Sequence, residues 1–584
     1  MVASEIEKQT GLIAKPATKI SGSEALLRCL VHEKVQHIFG YPGGAIMPVY
    51  DALYHYADQL THLLVRHEQG AIHAAQGYAR VSGKVGVVFA TSGPGATNLV
   101  TGLADAQIDS TPLVCITGQV FAHLLGTDAF QETDLINITL PMTKWNVQVT
   151  EAKDIAPAIA KAFYIAASGR PGPVLVDITK NAQNELIEEF NYEPCMGVRT
   201  YKPKPVLQLT QIEAAASLIN QAKRPYILAG QGVLLGDASK ELLAFSNRTG
   251  IPVANTLLGL GSFPNNHQNY VGYLGMHGNY GPNVNTNECD VLIAVGMRFD
   301  DRVTGNVSKY AKQAKVIHID IDKAEINKII KADVAVHADA KEALSALTKL
   351  CSENSFDEWI GSFRKLNQLE YEKVVEKEIK NTSSLKMAEV IYMLSQLTNG
   401  EAVVVTDVGQ HQMVTSRYYQ FKNPRTSVTS GGAGTMGFAL PAAMGAKVAV
   451  PQQQVVAVIG DGGYQMTIQE LGTIMQYNIP VKILVLNNNF LGMVRQWQQL
   501  FHGKRYSFTE MQNPDFVKIA EAYNIKADKV TEQKDLEGAL RKMLASDTSY
   551  FLEVVVEKED NVFPMVPAGA GVAEVILEIP NSSK

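Results

Sequence analysis

Cysteine is scarce. The 584 residues contain five, Cys29, Cys115, Cys195, Cys289 and Cys351, far apart and with no CxxC pair. That excludes a disulfide framework and suits a reducing, cytoplasmic setting. Cys115 sits inside an apolar run, where a small buried hydrophobe is expected. Basic excess is also absent. Lys and Arg number 52 against 58 Asp and Glu, a net charge of −6 with no basic block, so nucleic acid is not an expected partner. No apolar run approaches the ~18 residues a membrane span requires, so no membrane partner is expected. The opening MVASEIEKQTGLIAKPATKI lacks both arginine and a long apolar core, and is not read as a signal or transit peptide. What remains, 46% hydrophobic and 19% charged, is a globular, enzyme-like chain too long for one core.

The richest stretch is VVAVIGDGGYQMTIQELGTIMQYNIPVKILVLNNN, residues 455–489. VVAVIG is a β-branched run ending on glycine, and VKILVL is a second such run after Pro480. Ile468, Leu471, Ile474 and Met475 between them have helical spacing. Strand, helix and strand at this length form a right-handed βαβ unit. Asp461 and Asn487–Asn489 then lie at the carboxyl ends of neighbouring parallel strands, where open α/β sheets bind ligands. One carboxylate, an amide oxygen and backbone carbonyls form a hard-oxygen set suited to Mg²⁺ shared with a diphosphate. Glycines let the backbone approach the phosphates. GDG alone is equally an Asp-capped turn; the NNN closing the next strand favours the site.

KVGVVFATSGPGATNLVTGLADAQIDSTPLVCITGQ, residues 84–119, repeats this layout without the metal residues. Two diverged α/β domains of similar topology follow, near the two ends of the chain. NYEPCMGVRTYKPKPV (191–206) reads as a linker. The runs RPYILAG, IPVANTLLG, DVLIAVG and KVIHIDID predict a third doubly wound unit between them. The predicted architecture is α/β, with three doubly wound parallel-sheet domains at 1–190, 207–350 and 385–560 and a Gly- and Pro-rich tail at 561–584. Residues 353–384 are charged and helical, a surface connector. The middle unit has strand-terminal glycines and acids but no clean GxGxxG, so dinucleotide binding is weakly signalled. Glu68, in VRHEQGAIHAAQGYAR, follows a strand at the head of a helix, where any acid is favoured.

GDG followed by NN resembles the thiamine diphosphate fingerprint. In that family pattern Asp461 and Asn488 ligate Mg²⁺ through side chains and Phe490 through its backbone carbonyl. YPGGAIMPVYDAL, RHEQGAIHAAQGYAR, TSGPGATN, GTDAFQET, GMHG, RFDDRVTG, VGQHQM and GMVRQWQ also occur in order. Together, from about residue 20 to 575, they resemble the catalytic subunit of the acetohydroxyacid synthase (biosynthetic acetolactate synthase) family.

The resemblance implies thiamine diphosphate, Mg²⁺ and FAD as cofactors. It implies decarboxylation of pyruvate and transfer of the two-carbon unit to a second pyruvate or to 2-oxobutanoate, the first step towards branched-chain amino acids. Glu68 takes the role of the carboxyl at N1′ of the aminopyrimidine, which promotes the tautomer that deprotonates the thiazolium; a poorly solvated carboxyl of raised pKa suits that task. Val408, Gly409, Gln410, His411, Gly462, Gly463, Gly492 and Met493 match cofactor contacts. Gly434 matches the carbonyl accepting from the 4′-amino group, and Met436 the wedge between the rings. Gly230, Gly232, Thr256, Leu257, Gly275, Met276, His277, Arg298, Asp300, Arg302, Asp320, Ile321 and Asp339 match the FAD site. Arg302 matches the substrate-carboxylate arginine, whose planar fork suits a carboxylate. Trp497 matches the residue favouring 2-oxobutanoate over pyruvate, and Gly44, Phe130, Gln131 and Lys144 the active-site wall. Where many members have proline after TGQV this chain has Phe121, and a serine of the plant form is Ala568; both belong to the access channel. A homodimer or homotetramer with interfacial sites, a separate regulatory small subunit and a tail that covers the site are implied too. A flavin-using pyruvate oxidase and a non-catalytic paralogue remain as alternatives.

Overall fold

The computed structural model describes residues 19–380 and 384–579. The expectation about a leader falls almost wholly outside the described residues, as does the end of the tail.

The β-branched runs form three six-stranded sheets, each wholly parallel. The first contains His37–Gly40, Thr61–Leu64, Gly86–Ala90, Leu113–Gln119, Trp145–Val149 and Pro173–Thr179. The third contains Val403–Thr406, Ser427–Thr429, Val455–Gly460, Lys482–Asn487, Lys526–Val530 and Tyr550–Val555. Numbered in chain order, the strands of both sheets run 2-1-3-4-6-5, the shared topology that the two matched glycine turns predict. The middle sheet contains Pro225–Ala229, Val253–Asn255, Tyr270–Tyr273, Val291–Val295, Lys315–Asp320 and Val334–His337. Its order is 3-2-1-4-5-6, the dinucleotide-binding arrangement, with its ligand crevice where the order reverses.

The first and third sheets are joined by a helix pair. Glu68–Ser82 lies against Ala439–Ala449, and both contribute to one apolar core with Phe438, Leu440 and Met444. Gly77 and Gly445 allow the closest approach. A Cβ at Gly77 would lie 2.6 Å from the Ala442 carbonyl carbon, and one at Gly445 2.6 Å from that of Ala74.

The charged connector is a correction. Helix Asp357–Glu370 buries Trp359 and Phe363 against the middle domain, and the Trp359 indole donates to the Pro225 carbonyl at 2.8 Å. Its charges hide an apolar face. The tail, up to residue 579, also lies on the middle domain: the Val566 N–H donates to the Met276 carbonyl at 2.8 Å, and Gly571 bridges Gly305.

Candidate active site

Asp461 follows strand Val455–Gly460 and Asn488 follows Lys482–Asn487, so they meet at the carboxyl edge of the third sheet. Asp461 is 1% exposed. Its Oδ2 accepts from Asn513 Nδ2 at 2.7 Å, and that amide also reaches Asn487 Oδ1 (3.0 Å) and Asn489 Oδ1 (3.1 Å). Sequence reading missed Asn513, since nothing in MQNPDF separates it from a turn residue. Asn488 Nδ2 donates to Gln410 Oε1 at 3.3 Å, which turns its Oδ1 towards the Phe490 N–H (3.2 Å). Burial pushes the Asp461 carboxyl up to about 6, against the Asn513 hydrogen bond. A buried carboxylate held by amides alone is one that a divalent cation would relieve. The donor set therefore fits Mg²⁺.

Asp407 organises the surrounding turns. It is buried and accepts from the N–H groups of Val408 (2.9 Å), Gly437 (3.0 Å) and Ala439 (2.9 Å). A Cβ at Gly463 would lie 2.8 Å from its Cγ. One carboxylate thus ties the Val408–Gly409 turn to the turn carrying Gly434 and Met436, and packs against the start of helix Asp461–Met466. His411 is held neutral, its pKa lowered to about 3 by burial, and its Nε2 has no partner among the described residues. An orphaned imidazole nitrogen beside glycine turns fits a phosphate oxygen. Gln410 departs from its expected place. Its side chain is committed to Asn488, to Gln496 Oε1 at 2.9 Å and to the Asp560 carbonyl at 2.8 Å, because helix Gly492–Phe501 closes over it. Gly492 permits this approach: a Cβ there would lie 2.8 Å from Asn488 Nδ2.

A second group forms at the carboxyl edge of the first sheet. Glu68 is 8% exposed, and its Oε2 accepts from Asn98 Nδ2 at 2.9 Å. A Cβ at Gly95 would sit 3.0 Å from Glu68 Oε1, and one at Gly93 2.8 Å from the Gln131 carbonyl oxygen. Thr91 Oγ1 accepts from the Ala45 N–H at 3.2 Å, which anchors the turn holding Gly44. Gly44, Glu68, Phe130 and Gln131 therefore share this edge, with Phe130 88% exposed. Lys144 does not. It precedes Trp145–Val149 at the opposite, amino edge, and its Nζ donates to the carbonyls of Ile165 and Ser168 (2.8 Å) and to Tyr201 Oη (3.0 Å). It closes the end of helix Ile155–Ala167, where a cation meets orphan carbonyls. Burial, then Arg170, lowers its pKa to about 8. The lysine at the carboxyl edge is Lys180, just after Pro173–Thr179, with Nζ 5.8 Å from the Phe121 ring centre.

A cavity of about 980 Å³ lies at the carboxyl edge of the middle sheet and continues to the third. Every residue matched to the flavin lines it except Gly230. Gly230 packs instead on Met297, whose Cα would lie 2.7 Å from a Cβ there. Gly232 meets Gly296 of the adjacent strand end, its N–H donating to the Gly296 carbonyl at 2.8 Å. Asp320 ends strand Lys315–Asp320, and burial raises its pKa to about 7, so hydroxyl donors suit it. Asp300 and Asp339 spend one carboxylate oxygen each on helix caps, to Arg302 N (3.0 Å) and Lys341 N (2.9 Å). These walls, at the reversal of a 3-2-1-4-5-6 sheet, fit a dinucleotide such as FAD. Val408, Gly409, Gly434, Met436 and Met493 line the far end, together with Arg302 and Trp497. The Arg302 side chain is largely exposed, with Asp301 its nearest carboxylate at 3.6 Å.

Two matched α/β domains, one carrying a buried Asp–Asn pair at glycine turns, define a thiamine diphosphate enzyme. Three family models agree: the N-terminal TPP binding domain of thiamine pyrophosphate enzymes over residues 20–138, the central domain over 212–347 and the C-terminal TPP binding domain over 407–554. Similarity to individual proteins is narrower. The chain is 45% identical to the probable acetolactate synthase large subunit of Methanocaldococcus jannaschii, over 96% of each chain. It is 44% identical to the acetolactate synthase large subunit of Lactococcus lactis, over 95% of this chain and 96% of that one. To the isozyme 3 large subunit of Escherichia coli it is 42% identical, over 96% and 98%. The chain belongs to the acetolactate synthase large-subunit family.

Proposed function

We propose that the protein decarboxylates pyruvate and joins the two-carbon unit to a second 2-oxoacid, giving 2-acetolactate or, from 2-oxobutanoate, 2-aceto-2-hydroxybutanoate. The observation that carries this reading is a single cavity in which Arg302 and Trp497 share walls with Gly434 and Met436. Thiamine diphosphate, when bound, supplies the nucleophilic carbon and the electron sink. Asp461, Asn488 and the Phe490 carbonyl would hold Mg²⁺. Glu68, steadied by Asn98, exchanges a proton at the far end of the cofactor. Arg302 forks the substrate carboxylate with its largely exposed guanidinium. Trp497 bounds the acceptor pocket, and the middle-domain walls of the cavity would hold FAD.

Glu68 does not line the cavity that Gly434 and Met436 line. Phe130 on its edge, and Val494, Phe501 and Phe508 on the third domain, are exposed apolar side chains. These features support a dimer in which the Glu68 edge of one protomer completes the Asp461 edge of its partner. The tail is tied to Met276, a residue of the cavity wall, and to Gly305, which suits it to cover the site. The large-subunit relatives support a separate small subunit. Five free cysteines support a reducing compartment such as the cytoplasm, and no helix among the described residues is long and apolar enough to cross a membrane.

The test is product analysis from pyruvate with thiamine diphosphate, Mg²⁺ and FAD and no electron acceptor. Acetolactate is expected. Acetate formed only when an acceptor is added would replace this reading with a flavin-using oxidase, and absence of CO₂ under both conditions with a binding role.

A further inference from the structure

Helix Gln410–Tyr418 begins at the Val408–Gly409 turn and ends against the middle domain. Near that end, Arg417 is 1% exposed and pairs with Glu370, 2% exposed, at the end of helix Asp357–Glu370. The site described above uses neither residue. A buried ion pair is poor evidence of stabilisation, since well-packed apolar residues in its place are often neutral or better. The remaining donors and acceptors of this pair point to a different purpose. Arg417 Nη1 donates to the carbonyls of His277 and Gly278, both at 2.9 Å. Glu370 accepts from Asn279 Nδ2 at 3.0 Å and from the Tyr280 N–H. Asn279 Oδ1 in turn accepts from the Tyr273 N–H at 3.0 Å. All of these contacts converge on one loop, 273–280, whose inner side, from Tyr273 to His277, lines the cavity.

We propose that Arg417, balanced by Glu370, is a positioning residue that holds loop 273–280 in its flavin-binding shape and fixes it to the helix that starts at the diphosphate turn. This rests on reading the middle cavity as the flavin site. The two carbonyls on the outer side of the loop take the guanidinium, and Met276 and His277 face inward. The Met276 N–H also donates to the Arg302 carbonyl at 2.8 Å, so the backbone of the carboxylate-binding arginine is set by the same loop. Glu370 keeps the guanidinium in place and neutralises it where water does not reach.

The experiment titrates FAD into the deflavinated full-length protein, with flavin fluorescence as readout and thermal unfolding recorded in parallel. Arg417→Met alone strands the Glu370 charge, so both stability and flavin affinity should fall. The double variant Arg417→Met/Glu370→Gln strands no charge, and an amide at position 370 still accepts from the Tyr280 N–H. Its unfolding temperature should return close to wild type while flavin binding stays roughly tenfold weaker, the equivalent of one charge-assisted hydrogen bond to the loop. A double variant with wild-type flavin affinity would overturn the inference and leave the pair purely structural. Wild-type protein that binds no FAD would remove the flavin reading, and this inference with it.

Discussion

Glycine in a helix interior normally costs stability, and replacing it by alanine typically returns about 1 kcal/mol. At Gly445 the sign should reverse. A methyl there would lie 2.6 Å from the carbonyl carbon and 2.9 Å from the Cα of Ala74. The Ala74 carbonyl oxygen lies nearer still, and carbon atoms rest at about 3.5–4.0 Å, so the helices Glu68–Ser82 and Ala439–Ala449 must part by at least about 1 Å. Overpacking of this kind costs about 1–3 kcal/mol, and the shared core loses contacts as the helices separate. Gly445→Ala should therefore destabilise by about 1 kcal/mol after the helical gain is subtracted. Gly77 meets Ala442 in the same crossing, so the double variant should lose less than the sum of the two, because one separation relieves both clashes. Gly538, in helix Gln533–Ala545 with open space around it, is the control: Gly538→Ala should stabilise by about 0.5–1 kcal/mol. The assay is urea unfolding followed at the first transition. Stabilisation by Gly445→Ala equal to the control would refute the packing argument.

Burial holds His73 at about 3, with Arg80 adding to the shift. An unfolded histidine titrates near 6.5, so the unfolded chain takes up the proton first and stability falls as pH drops below that value, at about 1.4 kcal/mol per unit. His73→Gln should reduce the loss between about pH 6 and pH 4.5 by ~2 kcal/mol, read from urea midpoints. Asn513→Ala removes the amide from Asp461 Oδ2; the Mg²⁺ concentration needed to retain thiamine diphosphate should rise roughly tenfold, with the fold unchanged by circular dichroism. Trp497→Leu should lower the preference for 2-oxobutanoate over pyruvate about tenfold in competition assays. An unchanged product ratio would remove Trp497 from the acceptor pocket.

The local parts of the site were legible because each lies next to a strand end. VVAVIGDGG and LVLNNN place Asp461 and Asn488 together once the strands are parallel neighbours, as they are. The crevice proposed for a flavin gives a weak signal for a geometric reason. Its close glycines are not one motif: Gly232 and Gly296 belong to two strand ends that touch only after the sheet reverses order. Asn513, Asp407 and Arg417 were missed because each acts through hydrogen bonds to residues far along the chain. Lys144 was misplaced because it rested on resemblance alone: it precedes its strand, Trp145–Val149, where Asp461 and Asn488 follow theirs. The apolar face of the connector was masked by charged neighbours on the same helix.

The central claim is that a working site takes Glu68 from one protomer and Asp461 from another. Subunit complementation tests it most directly. Glu68→Gln and Asp461→Ala are each expected to abolish most acetolactate formation. Co-assembly of equal amounts should place both lesions in one site of a mixed dimer and leave the other site intact. With random pairing, about a quarter of wild-type activity should return. No recovery above the two parent variants, with mixed dimers shown to form, would contradict the interfacial site and place both residues in one chain's own centre.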